Sequence, residues 1–363
     1  MSVSERIAKR REELKLTQTE LARRAGLKPP TISQYESGTR SPSYEALIKL
    51  SSALDVTSDF LISGGEIKSD LINEKTAKIL INVIQNMSIE NREKLLQYAS
   101  FLTNTQVVNF GIPILNSPAE YSDYVYKNFS NGEVPVNVFE IATKMGISIY
   151  YDNLQGEYEG LLVKSSGKCF AVLDKNMDFE RRIKFTLAML IGHAAMPWHL
   201  KSNYYIRKKG TSTLHTIDFH EMEAQRFAAF LLMPQIHFMK DLNKEIIGMD
   251  GVKELAENRY DISVTTFLNQ MVDFRGEKYA FIQSKSHEIV SMHQGKRPIV
   301  EAINENSSAY SFYKGLISQQ EEIRNAEVPA SFWFSDAEKD ETVFESSIFN
   351  PKFGNALTLV TIK

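Results

Sequence analysis

The sequence has one cysteine, no long hydrophobic run and no large excess of either charge. Because Cys169 is the only cysteine in 363 residues, no disulfide can form within the chain, as is usual in a reducing cytosol. No apolar run approaches the roughly 18 residues that would span a membrane, and the opening residues MSVSERIAKRREELK lack the apolar segment of a secretory signal. We therefore expect a cytoplasmic protein with no membrane partner.

The remaining composition is that of an ordinary globular protein, with 43% hydrophobic and 24% charged residues. The length suggests two or three domains. A net charge of −3 excludes a uniformly basic nucleic-acid-binding chain, so charge has to be examined locally. Residues 1–40 contain nine Lys or Arg against five Glu, which leaves +4 where attraction to phosphates would provide sequence-independent affinity.

Residues 1–66 carry the start and stop signals of several short helices. Thr17 followed three residues later by Glu20 predicts a capping box. Gly26 and Gly38 suit the left-handed residue that ends a helix, and Pro29 fits the first turn of the helix between them. Two short helices joined by a Gly-containing turn predict a helix-turn-helix. The predicted core residues are Ile7, Leu14, Leu21, Ala22, Ala25, Ile32, Tyr35, Leu47, Leu50, Leu54 and Leu61.

The residue order TQxxLAxxxGLxxxxISxxExGxRxP, which begins at Thr17, closely resembles the lambda-repressor-like (XRE) family over about residues 3–66. The resemblance implies an all-α domain of five helices whose second motif helix lies in the major groove of operator DNA. It implies a homodimer or higher homo-oligomer on half-sites about one helical turn apart. The implied contacts are base-facing Lys28, Pro30, Thr31 and Gln34, backbone-adjacent Ser33, and phosphate-binding Gln18 and Arg40.

The chemistry of these side chains differs from one position to the next. Gln34 can make two hydrogen bonds to adenine, and Lys28 can reach guanine. Pro30 offers only apolar contact, for example to the methyl group of a thymine. For each residue taken alone, the alternative is an ordinary solvated side chain.

Residues 67–112 predict a helical connector between the turn-rich segment GGEIKSD and the break VVNFGIPILNSP. Apolar residues repeat at helical spacing in 79–84 and again in 95–101, and Ser88 is expected to cap the second helix. Two interpretations remain open. The helices dimerise the protein and set the half-site spacing, or they fold back on their own chain.

A second pattern runs from residue 113 to residue 275, where VPVNVFEIATKMGI is followed by strand-like segments and the helices FTLAMLIGH and EMEAQRFAAFLLMP. This series resembles the ImmA/IrrE-type metallopeptidase domain, in which the first of these helices reads FTLAHELGH. The resemblance implies an α+β, zincin-like domain. It also implies where the zinc ligands and the general base would stand, at Met189, Leu190, His193 and Glu221.

Two of those four positions carry side chains that are unsuited to binding zinc or to acting as a general base. A neutral thioether at Met189 is a poor zinc donor, and Leu190 cannot accept the proton that a general base takes from zinc-bound water. We therefore predict no enzyme activity, no cofactor and no metal, with His193 and Glu221 as a remnant. Met189 and Leu190 are expected to fill the core, and His193 is expected to be a hydrogen-bonded core histidine.

Neighbouring residues offer alternatives. Pro197 is expected to end the FTLAMLIGH helix. Glu223 competes with Glu221 for the third-ligand position, which spacing alone does not decide; we favour Glu221. Glu221 could instead complete a capping box with Asp218. The histidines that could rescue a metal site are His199, His215 and His220.

Residues 276–363 predict a C-terminal α/β extension, with strands at KYAFIQ and ALTLVTIK around a helix at SAYSFYKGLISQQEEIRNA. Its aromatic residues have two interpretations, which are ordinary core packing and the lining of a ligand or partner surface. The residues concerned are Tyr310, Phe312, Tyr313, Phe332, Trp333 and Phe334.

The predicted fold class is therefore α+β, with a helix-turn-helix domain at 1–66, a connector at 67–112, a zincin-like pseudo-metallopeptidase domain at 113–275 and a sensing or assembly segment at 276–363. The combined resemblances imply a repressor of a prophage or mobile genetic element, induced when an antirepressor protein or a small molecule binds the inactive body. Two alternatives are a zinc-dependent endopeptidase fused to a DNA-binding domain, and an autoregulator of an antitoxin or defence operon.

Overall fold

The computed structural model describes residues 2–54, 110–165, 167–208, 219–244, 248–314 and 320–362, together with scattered positions between 56 and 108. The fold is mixed α+β, as predicted. It divides into two compact units. The first consists of Met1–Tyr121, Ala142–Met177 and Thr186–Ala228, and the second of Ser122–Ile141, Asp178–Phe185 and Ala229–Lys363. Within the described ranges, every helix is too short or too polar to cross a membrane.

The N-terminal helices begin and end where the sequence predicts. The Thr17 side chain accepts a hydrogen bond from the backbone of Glu20, and the Glu20 carboxylate accepts one from the backbone of Thr17. Gly26 and Gly38 have φ values of 63° and 76°, in the left-handed region that L side chains avoid. Pro29 is the first residue of its helix. The helices are α1 (Val3–Glu13), α2 (Gln18–Ala25), α3 (Pro29–Ser37) and α4 (Tyr44–Leu54).

These four helices bury one apolar cluster, which contains all the predicted core residues except Leu14, and Leu14 packs against its edge. Leu61 belongs to the cluster, but the rest of the predicted fifth helix lies outside the described residues. Most of the connector also lies outside them. Ser88, as expected, accepts a hydrogen bond from the backbone of Asn91 at 3.3 Å.

The part of the first unit that follows the N-terminal helices, here called the body, contains a four-stranded sheet. Its strand order is β1-β3-β2-β4, in which β1 and β3 are parallel and the other pairs are antiparallel. Residues on β2, β3 and β4 alternate between buried and more exposed positions, as expected for a sheet that covers a core on one face. The elements between residues 118 and 232, of which α5–α8 each contribute residues to both units, are in chain order α5 (Pro118–Phe129), α6 (Val138–Lys144), β1 (Ile147–Asp152), β2 (Tyr158–Ser165), β3 (Lys168–Asp174), α7 (Glu180–Ala195), β4 (Asn203–Arg207) and α8 (Phe219–Leu232).

Two glycines allow α7 to pack tightly on both sides. A Cβ atom at Gly160 of β2 would lie 3.2 Å from a methyl group of Leu190, and one at Gly192 would lie 2.8 Å from the ring of Phe227 on α8. Helix α7 ends at Ala195, before Pro197, as predicted. The close approach of α7 and α8 sets which polar side chains can meet inside this unit.

The first turn of α8 also contributes to the N-terminal core. Phe219 and Met222 are partly buried and pack against the apolar cluster of α1–α4. Helix α8 therefore has side chains buried within the body and others that pack against the core of the N-terminal helices.

The second unit contains a five-stranded sheet of order β6-β5-β9-β8-β7, antiparallel throughout. The predicted strands at KYAFIQ and ALTLVTIK are paired neighbours, Tyr279 opposite Thr361. The elements are α9 (Gln235–Leu242), α10 (Gly248–Lys253) with a π-helical turn at Glu254–Arg259, α11 (Val264–Arg275), β5 (Tyr279–Lys285), β6 (Glu288–His293), α12 (Ser308–Ser311), β7 (Glu322–Pro329), a 3₁₀ turn at Ala330–Phe332, β8 (Thr342–Asn350) and β9 (Asn355–Ile362).

The long helix predicted at residues 308–326 is wrong. Among the residues of that range that the structure describes, only Ser308–Ser311 forms an α-helix. Residues 322–329 form strand β7, because pairing with β8 satisfies their backbone groups. The C-terminal sheet is also antiparallel rather than of the parallel α/β type. Core packing is the confirmed interpretation for Phe312, Trp333 and Phe334, which are at most 3% exposed.

Candidate nucleic-acid interface and buried histidine cluster

Helix α3 presents its polar residues outward and its apolar residues inward. Ile32 and Tyr35 are 0% and 3% exposed. The exposed positions include four of the predicted base-facing or backbone-adjacent residues, and Thr31 is half-buried beside them. The exposed residues are Lys28, Pro30, Ser33 and Gln34.

The N-terminal end of α3 carries few competing interactions. Lys28 is the N-cap residue, and its side chain makes no capping hydrogen bond. Pro29 and Pro30 occupy the first two helical positions, where a missing N–H removes no intrahelical bond. This explains how two prolines fit at the start of a helix that has to present its first turn to DNA.

The predicted phosphate-binding residue Gln18 is held by the carboxylate of Glu36, which is not among the predicted DNA contacts. Its Nε2 donates to Oε2 of Glu36 at 2.8 Å. Glu36 also accepts two hydrogen bonds from Arg11, at 2.6 and 3.0 Å. The Glu36 hydrogen bond raises the pKa of Arg11. These partly buried hydrogen bonds fix the start of α2 and the end of α3 relative to α1.

Arg40 lies exposed in the turn after α3. Its backbone N–H donates to the carbonyl oxygen of Gln34 at 3.2 Å, and the Thr39 hydroxyl donates to the same oxygen at 3.2 Å. The turn is therefore tied to α3, so the Arg40 side chain starts from a defined position close to the exposed end of the helix.

The helix-turn-helix family matches residues 7–61 of the chain, which is the range over which α1–α4 and Leu61 share one core. Residues 7–61 are a helix-turn-helix DNA-binding domain. The XRE-type resemblance is thereby confirmed for this part of the chain.

Named proteins resemble the chain over part of their own length. It is 38% identical over 77 residues to the uncharacterized HTH-type transcriptional regulator YqaE of Bacillus subtilis, covering 21% of this chain and 66% of that protein. It is 46% identical over 55 residues to the vegetative-specific protein H7 of Dictyostelium discoideum, covering 15% and 53%. The chain thus spans less than two thirds of the length of either protein.

A solved structure of the P22 c2 repressor protein in complex with a synthetic operator is 38% identical to the matched part of this chain. The match covers 18% of this chain and 97% of that one, with a TM-score of 0.17. The sequence identity extends over nearly the whole of that solved domain.

The positions that match the metallopeptidase motif do not fit a zinc ion. Met189 and Leu190 are 2% and 0% exposed, and Leu190 packs toward Gly160 of β2. Neither side chain offers a nitrogen, oxygen or thiolate donor. His193 follows one turn later, equally buried, with its ring stacked on Tyr204 at a centroid distance of 4.2 Å.

A different set of donors meets beside His193. His199, His220 and Glu223 each place one possible ligand atom within 4.8 Å of the others. His199 Nε2 lies 3.0 Å from Glu223 Oε2, and the rings of His199 and His220 are 4.4 Å apart between centroids. We call these three residues the histidine cluster.

Further residues orient the histidine cluster. Nδ1 of His193 lies 2.8 Å from Nδ1 of His199. Trp198 Nε1 donates to Glu223 Oε2 at 2.8 Å, and Lys164 Nζ donates to the backbone carbonyl of His199 at 2.6 Å. His199 and Glu223 are therefore each held by at least two contacts.

Burial sets the protonation of these groups. Desolvation, followed by nearby positive charges and the other imidazoles, holds the pKa of His193 and of His199 well below the usual value. Desolvation also lowers the pKa of Lys164 to about 8. The two histidines are neutral at pH 7, so in a His193–His199 hydrogen bond one ring donates and the other accepts.

Of the two carboxylates weighed for the third-ligand position, Glu223 is the one that meets His199. Residues two apart on a helix point about 200° apart, so when Glu223 faces His199, Glu221 does not. Glu221 lies instead 3.5 Å from Gln225 on the next turn. His215 and Asp218 fall outside the described residues. A sequence signal existed in His193 and His199, which flank Pro197, but their meeting with His220 and Glu223 depends on long-range packing that no local pattern predicts.

Proposed function

We propose that this protein is a sequence-specific transcriptional repressor of a prophage or mobile genetic element. The observation that carries the proposal is the exposed first half of α3, with Lys28, Ser33 and Gln34 on its outer face above a fully packed core. Side chains of this kind at the start of a recognition helix can contact base edges in the major groove. The identity to the P22 c2 repressor, solved with a synthetic operator, supports operator DNA as the partner.

The proposed repressor acts as a homodimer or higher homo-oligomer. A single helix-turn-helix covers one half-site, and two-fold symmetric pairs read half-sites about 34–36 Å apart. In the connector, Ile79, Leu80 and Val83 are 45–53% exposed, which is unusual for neighbouring apolar residues of a helical segment. These side chains support the dimerisation interpretation of the connector over the folded-back one.

The body is proposed to be an ImmA/IrrE-like domain without peptidase activity that senses an antirepressor protein or a small-molecule inducer. Support comes from Met189 and Leu190, whose buried side chains occupy the positions of a zinc ligand and of the general base in the metallopeptidase motif. The loss of a general base alone removes roughly 10²–10⁴-fold of rate. The competing function is a zinc endopeptidase, which the histidine cluster favours but the buried Leu190 opposes.

The experiment that tests the DNA-binding part is selection of bound sites from a random DNA pool by the full-length protein. We expect recovery of a palindrome whose half-sites lie about one helical turn apart. Recovery of sequences without any shared site would contradict sequence-specific binding. Chelator-sensitive cleavage of a test polypeptide by the same preparation would establish the competing function instead.

A further inference from the structure

We propose that the histidine cluster, His199, His220 and Glu223, binds a divalent transition-metal ion of the zinc class. The ion would sit away from the two motif positions that Met189 and Leu190 occupy, and its binding does not depend on whether the protein is a repressor.

The donor set matches the ion. Two imidazoles and one carboxylate are three of the donors that zinc prefers, and three protein ligands leave one tetrahedral position open. His199 and Glu223 are 0% and 4% exposed, whereas His220 is half-buried.

The distances also match. A tetrahedral ion with bonds of about 2.0–2.1 Å holds adjacent ligand atoms ~3.3 Å apart. His199 Nε2 and Glu223 Oε2 are 3.0 Å apart, so they would separate by only a few tenths of an ångström. The third ligand atom already lies within 4.8 Å of both.

His193 takes the role of an outer-shell residue. Metal-binding histidines usually bond their second ring nitrogen to a fixed partner, which sets the tautomer. His193 accepts from Nδ1–H of His199 when the ion is bound, which leaves the lone pair of His199 Nε2 directed at Glu223 and the metal. Trp198 fixes Glu223 in the same way. Lys164 does not compete for a donor atom, because its ammonium bonds the backbone carbonyl of His199.

The site would hold an ion without hydrolytic chemistry. The residue one turn before His193 on α7 is Met189, and the next is Leu190, so the helix supplies no base beside the ion. We therefore assign the ion a structural or ligand-sensing role.

The test uses untagged full-length protein that has been stripped with a chelator and dialysed. Zn²⁺ is titrated against a chromophoric chelator, and Co²⁺ binding is followed by visible absorption. We expect one tight ion per chain and a Co²⁺ spectrum of tetrahedral intensity. His220→Gln, at a half-buried position, should weaken Zn²⁺ binding by more than the roughly 10–100-fold expected of an outer-shell change such as His193→Gln.

The matched control is His293→Gln. His293 Nε2 also lies 2.9 Å from a carboxylate, that of Asp273, but His293 belongs to no three-donor group within the described residues. The control should bind Zn²⁺ like the unaltered protein, and thermal unfolding of each chelated variant verifies folding. Substoichiometric binding by the unaltered chain, or equal losses in His220→Gln and His293→Gln, would overturn the proposal.

Discussion

Helices α3 and α7 differ in the solvent exposure of the polar side chains that could form a site: α3 exposes them, whereas the C-terminal half of α7 buries them. Helix α3 buries Ile32 and Tyr35 and leaves Ser33 and Gln34 in solvent, whereas every residue of α7 from Thr186 to Ala195 is buried. The exposed side chains of Ser33 and Gln34 can therefore contact a partner outside the molecule. The histidine of α7 has its partner inside, on His199. A surface site can therefore be inferred from the helix that carries it, but an internal site requires the segments that pack around it.

The largest effect should come from removing core volume beneath the surface site. Leu47 is 0% exposed, so Leu47→Ala should cost about 2–5 kcal/mol, a large part of the roughly 5–15 kcal/mol that stabilises a domain. Thermal unfolding followed by circular dichroism should show an early transition accompanied by loss of DNA binding. Leu200→Ala, at a leucine that is 36% exposed, serves as the control. Equal destabilisation by both substitutions would contradict the core assignment.

An intermediate effect should follow from crowding the internal site. Gly192→Ala puts a methyl group 2.8 Å from the Phe227 ring, and overpacking of this kind costs about 1–3 kcal/mol. Urea unfolding of the full chain measures the change. The double variant Gly192→Ala with Phe227→Leu should recover part of the loss, because the obstructing ring is gone. Additive losses in the double variant would show that α7 and α8 are not in contact there.

Substitution of Gln34 should have an effect of similar size, but only on recognition of one base pair in each half-site. It therefore distinguishes base recognition from general affinity for DNA. Gln34→Ala should reduce discrimination at that base pair by about 1–3 kcal/mol, which is roughly 5–150-fold. Binding to a panel of single-base operator variants measures it. Gln225→Ala, at an exposed glutamine on α8, controls for protein quality. An equal loss on every sequence would place Gln34 away from the bases.

The smallest effect should be on Arg40, which is proposed to bind phosphate. Arg40→Ala should weaken binding to all sequences alike and reduce the slope of log affinity against log salt by about 1. Titrations at several salt concentrations measure the slope. Arg207→Ala, at an exposed arginine of β4, should leave it unchanged. A change in base preference would show that Arg40 reads sequence.

Local signals allowed most of the N-terminal domain to be predicted. The capping box at Thr17, the left-handed Gly26 and Gly38, and the proline at the start of α3 depend on neighbouring residues alone, and each is confirmed. The Gln18–Glu36–Arg11 fork was missed, because residues 18 and 25 positions apart in sequence meet only through packing.

Long-range pairing explains the errors elsewhere. Residues 322–326 have a helical composition, yet strand β8 provides partners for their backbone groups. Glu221 matches the spacing of the metallopeptidase motif better than Glu223 does, but the rotation of α8 decides which carboxylate faces His199. The histidine cluster joins His199 to residues 21 and 24 positions later in the sequence, at the start of α8. No periodicity in the sequence predicts that His199 contacts His220 and Glu223.

The first turn of α8 gives the two sites a shared structural element. Phe219 and Met222 pack into the core of the N-terminal helices, and His220 and Glu223 stand on the adjacent face of the same turn. Close-packed interiors do not absorb displacements gradually, so a change in the seating of this turn alters both environments together. Linkage of this kind is reciprocal: if binding of the proposed ion at the histidine cluster changes the affinity for DNA, binding of DNA changes the affinity for the ion by the same factor.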